Sequence, residues 1–201
     1  MNIPEPPPPH VRATFGLRDS EAEPYGSKWR CGTVVLGPVR DDHARATWSA
    51  QVRLVLDVEG VRIARPVRST DGRWVVSGWA ADTYLVGVGE PRHDEVLATA
   101  ARLHAALASL PRPALLSAAS ISARVDTLGV ADRVAWGEEL EPFTVAAGPA
   151  AALDPPSVGL FRDLARGRRR VQGPPQVVHG DLYGTVLFAG SAEPAVTDIT
   201  P

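Results

Sequence analysis

Asp181 and Asp198, near the end of this 201-residue chain, keep the company that phosphate chemistry needs. Asp181 lies in Val177-Val178-His179-Gly180-Asp181-Leu182-Tyr183-Gly184-Thr185-Val186-Leu187-Phe188, where an apolar pair leads into a polar turn and an apolar run leads out. Asp198 follows in Ala195-Val196-Thr197-Asp198-Ile199, where the outgoing strand of a hairpin would return. A carboxylate at a loop tip can accept the proton of an attacking hydroxyl, and a second on the returning strand can hold Mg²⁺ against a phosphate. Burying an acid in a Gly-flanked turn among apolar strands is costly without partners or a task.

The elements that must position these acids divide into a sheet-rich first half and a helical second half. Strand-like segments run Val11 to Leu17, Thr33 to Leu36, Val52 to Val58, Val61 to Ala64 and Arg73 to Trp79, with turns at Glu59-Gly60 and Asp71-Gly72. This succession predicts an antiparallel sheet. Alanine-rich Asp41 to Ala50 predicts a helix inside it. The clearest helix is Asp94 to Leu110, with Val96, Leu97, Ala100, Leu103, Ala106 and Leu107 at helical spacing, acids at its start and Pro111 and Pro113 after it. His104 falls on that stripe as a packing residue. A further helix is expected over Ser157 to Arg170, capped by Ser157, with an apolar face of Leu160, Phe161 and Leu164. Its end, Arg168-Arg169-Arg170, reads as a solvated basic terminus or as an anion patch. Phe143 to Pro156 reads as a connection, and Met1 to His10, with Pro4 and Pro6 to Pro9, as a disordered leader.

Composition narrows the function classes. A hydrophobic content of 44% over this length supports a real core in one domain or two small lobes. A net charge of −2 gives no electrostatic reason for nucleic-acid binding. The single cysteine, Cys31, allows no internal disulfide and fits a reducing cytoplasm. No apolar run approaches the ~20 residues that cross a bilayer. A hydrolase built on serine or Cys31 would need a nucleophile elbow and a base at recognisable spacing, and neither is present.

His179-Gly180-Asp181-Leu182 with its trailing apolar run resembles the catalytic loop of the aminoglycoside phosphotransferase group, kinase-like enzymes. Trp48, Arg65-Pro66-Val67-Arg68, Asp71-Gly72-Arg73-Trp74-Val75-Val76, Gly78-Trp79 and Arg133-Val134-Ala135-Trp136-Gly137-Glu138 extend the likeness from about Phe15 to Pro201, toward an actinobacterial branch of that group. The resemblance implies an α+β, two-lobed, protein-kinase-like fold. Residues 11–87 would form a β-rich nucleotide-binding lobe, and 88–201 a partial helical lobe, C-terminally truncated, that carries the catalytic hairpin. It implies ATP- and Mg²⁺-dependent phosphoryl transfer to a small-molecule hydroxyl, with Asp181 as base, Asp198 and Thr185 on the metal, and His179 bracing the loop. Apolar surface around Val186, Leu187 and Phe188 is then expected to be open and available for self-association.

Two positions depart from the family pattern. Thr185 stands where a metal-binding Asn is usual, and the strand Thr33-Val34-Val35-Leu36 ends in Gly37 where a phosphate-binding Lys is usual. No Glu occurs from Asp41 to Gln51 to pair with such a lysine. The only lysine in the chain, Lys28, lies in Gly26-Ser27-Lys28-Trp29-Arg30-Cys31-Gly32, where the kinase-like fold places its phosphate-covering loop. Lys28 or Arg30, with Gly26 and Gly32, is the expected replacement. A solvated loop is the plainer reading of the same residues. The alternative function is a non-catalytic kinase-like remnant, a pseudokinase, that binds nucleotide or a protein partner.

Overall fold

The computed structural model describes residues 5–39, 43–116, 155–167 and 174–201. Its compact units are Met1–Pro113 with Gln176–Pro201, and Ala114–Pro175. The segment that carries Asp181 and Asp198 therefore shares a unit with the sheet. Of the second unit, a 3-10 turn at Ala114–Leu116 and helix α4 (Pro155–Gly167) are described. Arg133 to Glu138 and Arg168 to Arg170 lie outside the described residues.

The β-branched and apolar residues of β3 (Val34–Pro38) form the middle of the main sheet, flanked by β2 (Lys28–Cys31) and β7 (Trp79–Thr83). The order is β1 (Glu23–Tyr25), β2, β3, β7, β5 (Pro66–Val67), with β6 (Val75–Val76) also on β7, and every pairing is antiparallel. Ser77 and Gly78 both have positive φ, 49° and 76°, as a two-residue hairpin turn between β6 and β7 requires.

One apolar cluster joins Leu36, Val34 and Cys31 of the sheet to Val11 and Phe15. Those last two belong to α1 (Pro9–Thr14) and its end, so the segment expected as a strand from Val11 to Leu17 is helical where it begins. Pro9 explains the start, because the first turn of a helix has no partner for its N–H and proline has none to lose. The expected leader is corrected with it: Pro9 and His10 are in α1, and Pro7 is buried.

The second correction concerns α2 (His43–Val55), which runs five residues beyond the expected Ala50 and takes in Val52 to Val55, read from sequence as strand. Trp48, Val52 and Leu56 lie on its core side at i, i+4 and i+8, and Leu54 and Val55 are exposed. At its carboxyl end Arg65 Nη1 donates to the carbonyls of Arg53 (2.5 Å) and Leu56 (2.8 Å), a cation where the helix dipole favours one.

Helix α3 (His93–Leu107) forms where a helix is expected but ends three residues before Leu110; it buries Val96, Leu103 and Leu107, and Leu97, expected on the apolar stripe, is turned to solvent. Against α2 and α3 packs a small second sheet of β4 (Arg62–Ile63), β9 (Ala195–Val196) and β8 (Val186–Leu187). β8 and β9 are the antiparallel hairpin read from sequence, and β9 also runs parallel to β4. Val186 and Phe188 are almost fully buried in this core, so the open apolar surface expected of them is absent, while Leu187 is partly exposed. Each such side chain contributes about 1.5–3 kcal/mol by leaving water. The hairpin also docks on Val88, whose N–H and carbonyl bond Phe188 at 2.9 Å each way. Gly87 makes this approach tolerable: at φ 151° a Cβ there would meet Leu187 Cβ at 2.9 Å.

α4 covers most of the expected second helix but begins at Pro155, which puts Ser157 inside its first turn instead of at its cap. Among the described residues, no helix is long and apolar enough to cross a membrane.

Candidate functional site

Lys28 pairs with Tyr25 across the β1–β2 turn and so lies at the mouth of the sheet, alongside β3. Its aliphatic stem crosses Gly37: a Cβ at Gly37 would stand 3.2–3.3 Å from the Cγ, Cδ and Cε of Lys28. The missing strand side chain is therefore the space that Lys28 occupies. Its ammonium lies close enough to Asp82 of β7 and to Asp198 to pull the pKa of both downward. Beneath it opens a cleft of ≈ 250 Å³, lined by Gly26, Ser27 and Lys28 from the turn, Val35, Ala64, Asp82, Thr83 and Leu85 from the sheet side, and Gly184, Leu187 and Thr197 from the hairpin.

Behind the cleft, α2 presents Arg45, Ser49 and Arg53 at i, i+4 and i+8. Arg53 is 4% exposed and central to this cluster. Its Nη1 reaches Asp82 Oδ1 at 2.7 Å, the Ala64 carbonyl at 2.9 Å and the Thr197 carbonyl at 3.2 Å, and its Nε donates to Ser49 Oγ at 3.2 Å. Ser49 in turn donates to Asp198 Oδ1 at 2.7 Å and accepts from the Ile199 N–H at 3.2 Å. Arg45 Nη1 stands 3.4 Å from Asp198 Oδ2 and donates to Thr200 Oγ1 at 3.1 Å. Burial pushes Asp82 above the ordinary carboxylate range, against the pull of Arg53 and Lys28. Burial would raise Asp198 as well, but Arg53, the Ser49 hydrogen bond, Lys28 and Arg45 outweigh it and hold Asp198 below that range.

The polar turn is braced by two histidines. The buried His179 accepts at Nδ1 from the N–H groups of Asp181 (3.2 Å) and Thr200 (3.4 Å). Its proton must then sit on Nε2, which faces Thr185 Oγ1 at 3.0 Å. The His179 N–H donates to Nε2 of His104 at 3.0 Å, so His104 both packs in α3 and anchors the loop. Gly180 completes the brace with a 2.8 Å bond to the Thr200 carbonyl. Burial lowers the proton affinity of His179, against the opposing effects of Asp198 and Asp181, both of which lie near its ring. A native histidine of lowered pKa stabilises the fold most above its ordinary value of 6.5 and progressively less as pH falls below it, because the unfolded state takes up the proton first. The expected result is a melting temperature that drops between about pH 7 and 5, more steeply in the wild type than in His179→Asn, as followed by circular dichroism. Equal slopes would show that His179 does not carry this dependence.

The structure brings Gly26 and Lys28 into the cleft but leaves Arg30 and Gly32 out of its lining. Arg30 lies over the Tyr84 ring at 4.0 Å and bonds the Gly32 carbonyl at 2.9 Å. Asp181 is exposed, its Oδ1 3.4 Å from where a Cβ of Gly184 would stand, so its carboxyl hangs over the hairpin residue that lines the cleft. Thr185 Oγ1 is engaged with His179 and, at 3.1 and 3.2 Å, with the carbonyls of Asp181 and Leu182. Among the described residues, no group of three His, Cys, Asp or Glu side chains is gathered that could hold a metal ion. Arg45, Ser49, Arg53 and Asp82 are site residues that the sequence reading missed. Arg45, Ser49 and Arg53 form an i, i+4, i+8 polar row that is complete only once α2 is known to continue past Ala50, and Asp82 has no local signal.

No family model and no curated protein sequence matches the chain. Solved structures do. The gentamicin complex of APH(2")-IIa is similar over 94% of this chain and 67% of its own, with 13% sequence identity and a TM-score of 0.50. The streptomycin–ATP ternary complex of the same protein gives 94%, 68%, 13% and 0.49. At that identity the likeness speaks to architecture alone: the chain has a mixed α+β, kinase-like fold similar to that of an aminoglycoside phosphotransferase.

Proposed function

We propose that the chain binds ATP in the cleft beneath the β1–β2 turn, with Lys28 as the cation for its phosphates, and that it is phosphotransferase-like. The observation that carries this reading is the course of Lys28 across Gly37, which aims the one lysine of the chain into the place a strand lysine would fill. In such a site, Asp181 is the group to deprotonate a small-molecule hydroxyl as it attacks the γ-phosphate. Cys31, free and buried, suits a reducing cytoplasm that also supplies ATP.

The magnesium site expected of Asp198 and Thr185 does not fit this arrangement. One oxygen of Asp198 is bound by Ser49 with Arg53 3.9 Å away, the other faces Arg45, and the Thr185 hydroxyl is turned to His179. Two guanidinium groups beside one carboxylate repel a divalent ion. This engagement of Asp198 favours a second reading, nucleotide binding without turnover.

The test has two parts. ATP at a hundredfold excess over its Kd stabilises the protein by about 2.7 kcal/mol in a thermal-shift titration; no shift at any concentration contradicts nucleotide binding. Incubation with γ-labelled ATP and a panel of amino sugars, sugars and amino alcohols then separates the readings. Label on an acceptor, lost in Asp181→Asn, supports transfer, and its absence from every acceptor supports the non-catalytic reading.

A further inference from the structure

The charges gathered around the cleft suggest which form of the nucleotide it accepts. Lys28, Arg45 and Arg53 face two carboxylates, Asp82 and Asp198. Those five groups sum to one positive charge, and with the exposed Asp181 over Gly184 the cleft is balanced without a metal ion. A kinase-like site that opposes one lysine to a helix glutamate and a metal-binding aspartate has an excess of negative charge, which divalent cations offset when a polyphosphate binds. Here the helix contributes guanidinium groups where that arrangement has a carboxylate, and they lie directly against the acid that would otherwise attract the metal.

Competition points the same way. To hold a divalent ion, Asp198 would have to give up the 2.7 Å bond from Ser49 and the approach of Arg45, and Arg53 would be left beside a new double positive charge. The buried position of Arg53 leaves it nowhere to retreat, because its other bonds fix it to Asp82, Ala64 and Thr197. We propose that the cleft takes the metal-free nucleotide, with Lys28 on the phosphates and the Arg45–Arg53 pair serving as counter-charge to Asp198 and Asp82 in place of a divalent ion. This inference rests on the nucleotide reading above.

The experiment is a calorimetric titration of the intact chain with ATP, once in EDTA and once in excess Mg²⁺. The account expects binding in EDTA at least as tight as in Mg²⁺. Binding that is tenfold or more tighter with Mg²⁺ overturns the metal-free proposal and leaves nucleotide binding standing. Binding in neither condition overturns the nucleotide reading itself, so the two failures are distinguishable. Arg45→Gln provides a second arm, because Arg45 is at the edge of the cluster with its side chain 29% exposed. In that variant, metal-free ATP binds about tenfold more weakly and added Mg²⁺ now improves binding. Unchanged affinity, with no new response to Mg²⁺ in a variant that melts like the wild type, overturns the role given to Arg45.

Discussion

Arg53→Ala is expected to lower the stability of the chain by about 3–5 kcal/mol, the range for removing one partner of a buried ion pair. The reason is less the loss of attraction than what is left behind. Asp82 loses its 2.7 Å partner in a buried site, Ser49 loses a donor, and the carbonyls of Ala64 and Thr197 lose theirs. Because Arg53 bonds both Asp82 of β7 and the Thr197 carbonyl just after β9, its removal loosens the link between the sheet and the segment that carries Asp198. Denaturant unfolding measures the effect, and the double variant Arg53→Ala/Asp82→Asn should recover part of the loss, since the orphaned charge goes with it. A linked effect of pH follows from Asp198, which is held below the ordinary carboxylate value of 3.8. Its contribution is fully present above that value and disappears as pH falls through the depressed one, so Asp198→Asn and wild type converge in stability only in acid. A loss below about 1 kcal/mol for Arg53→Ala would show the cluster to be solvated and unimportant.

Lys28→Ala is expected to weaken ATP binding about 10- to 100-fold, the worth of one or two charge-assisted hydrogen bonds to phosphate. Stability should change little, because Lys28 sits in a short edge hairpin and is only partly buried. The more discriminating variant moves the charge instead of deleting it. With Lys28 shortened to alanine, the space over Gly37 opens, and Gly37→Lys in the same chain can send an ammonium into it from β3. Restoration of affinity in Lys28→Ala/Gly37→Lys shows that the cleft requires a cation at that place, whichever strand supplies it. Gly37→Lys alone should do harm, because its first carbons would collide with the Lys28 stem at 3.2–3.3 Å.

What could be read from sequence followed from how local the signal was. The β8–β9 hairpin, α3 and the core of β3 were legible because each writes its periodicity over consecutive residues. The likeness rested on His179-Gly180-Asp181-Leu182, and Asp181 and Asp198 each favour the charged form of His179. α1 was misread because Val11 to Leu17 shows β-branched and aromatic residues in a run too short to display a helical period. The error over Val52 to Val58 had the larger consequence. Val52, Leu54, Leu56 and Val58 recur at every second position, with Arg53 and Asp57 between them and Val55 the one apolar interruption, and only the preceding Trp48 reveals the helical phase. Ending the helix at Ala50 hid Arg53, and with it the reversal in which a helix arginine meets two acids where kinase-like folds pair a helix acid with a strand lysine. Asp82 carried no motif at all; its role comes from the pairing of β7 with β3 and β5, which no local pattern specifies.

Hydrogen–deuterium exchange with and without ATP is the most direct test of the claim that nucleotide occupies the cleft under the β1–β2 turn. The account predicts slowed exchange at Gly26 to Lys28, at Thr83 to Leu85 and around Gly184, the residues that line it from three sides. ATP binding that leaves those amides unchanged, or protects another surface instead, would contradict it.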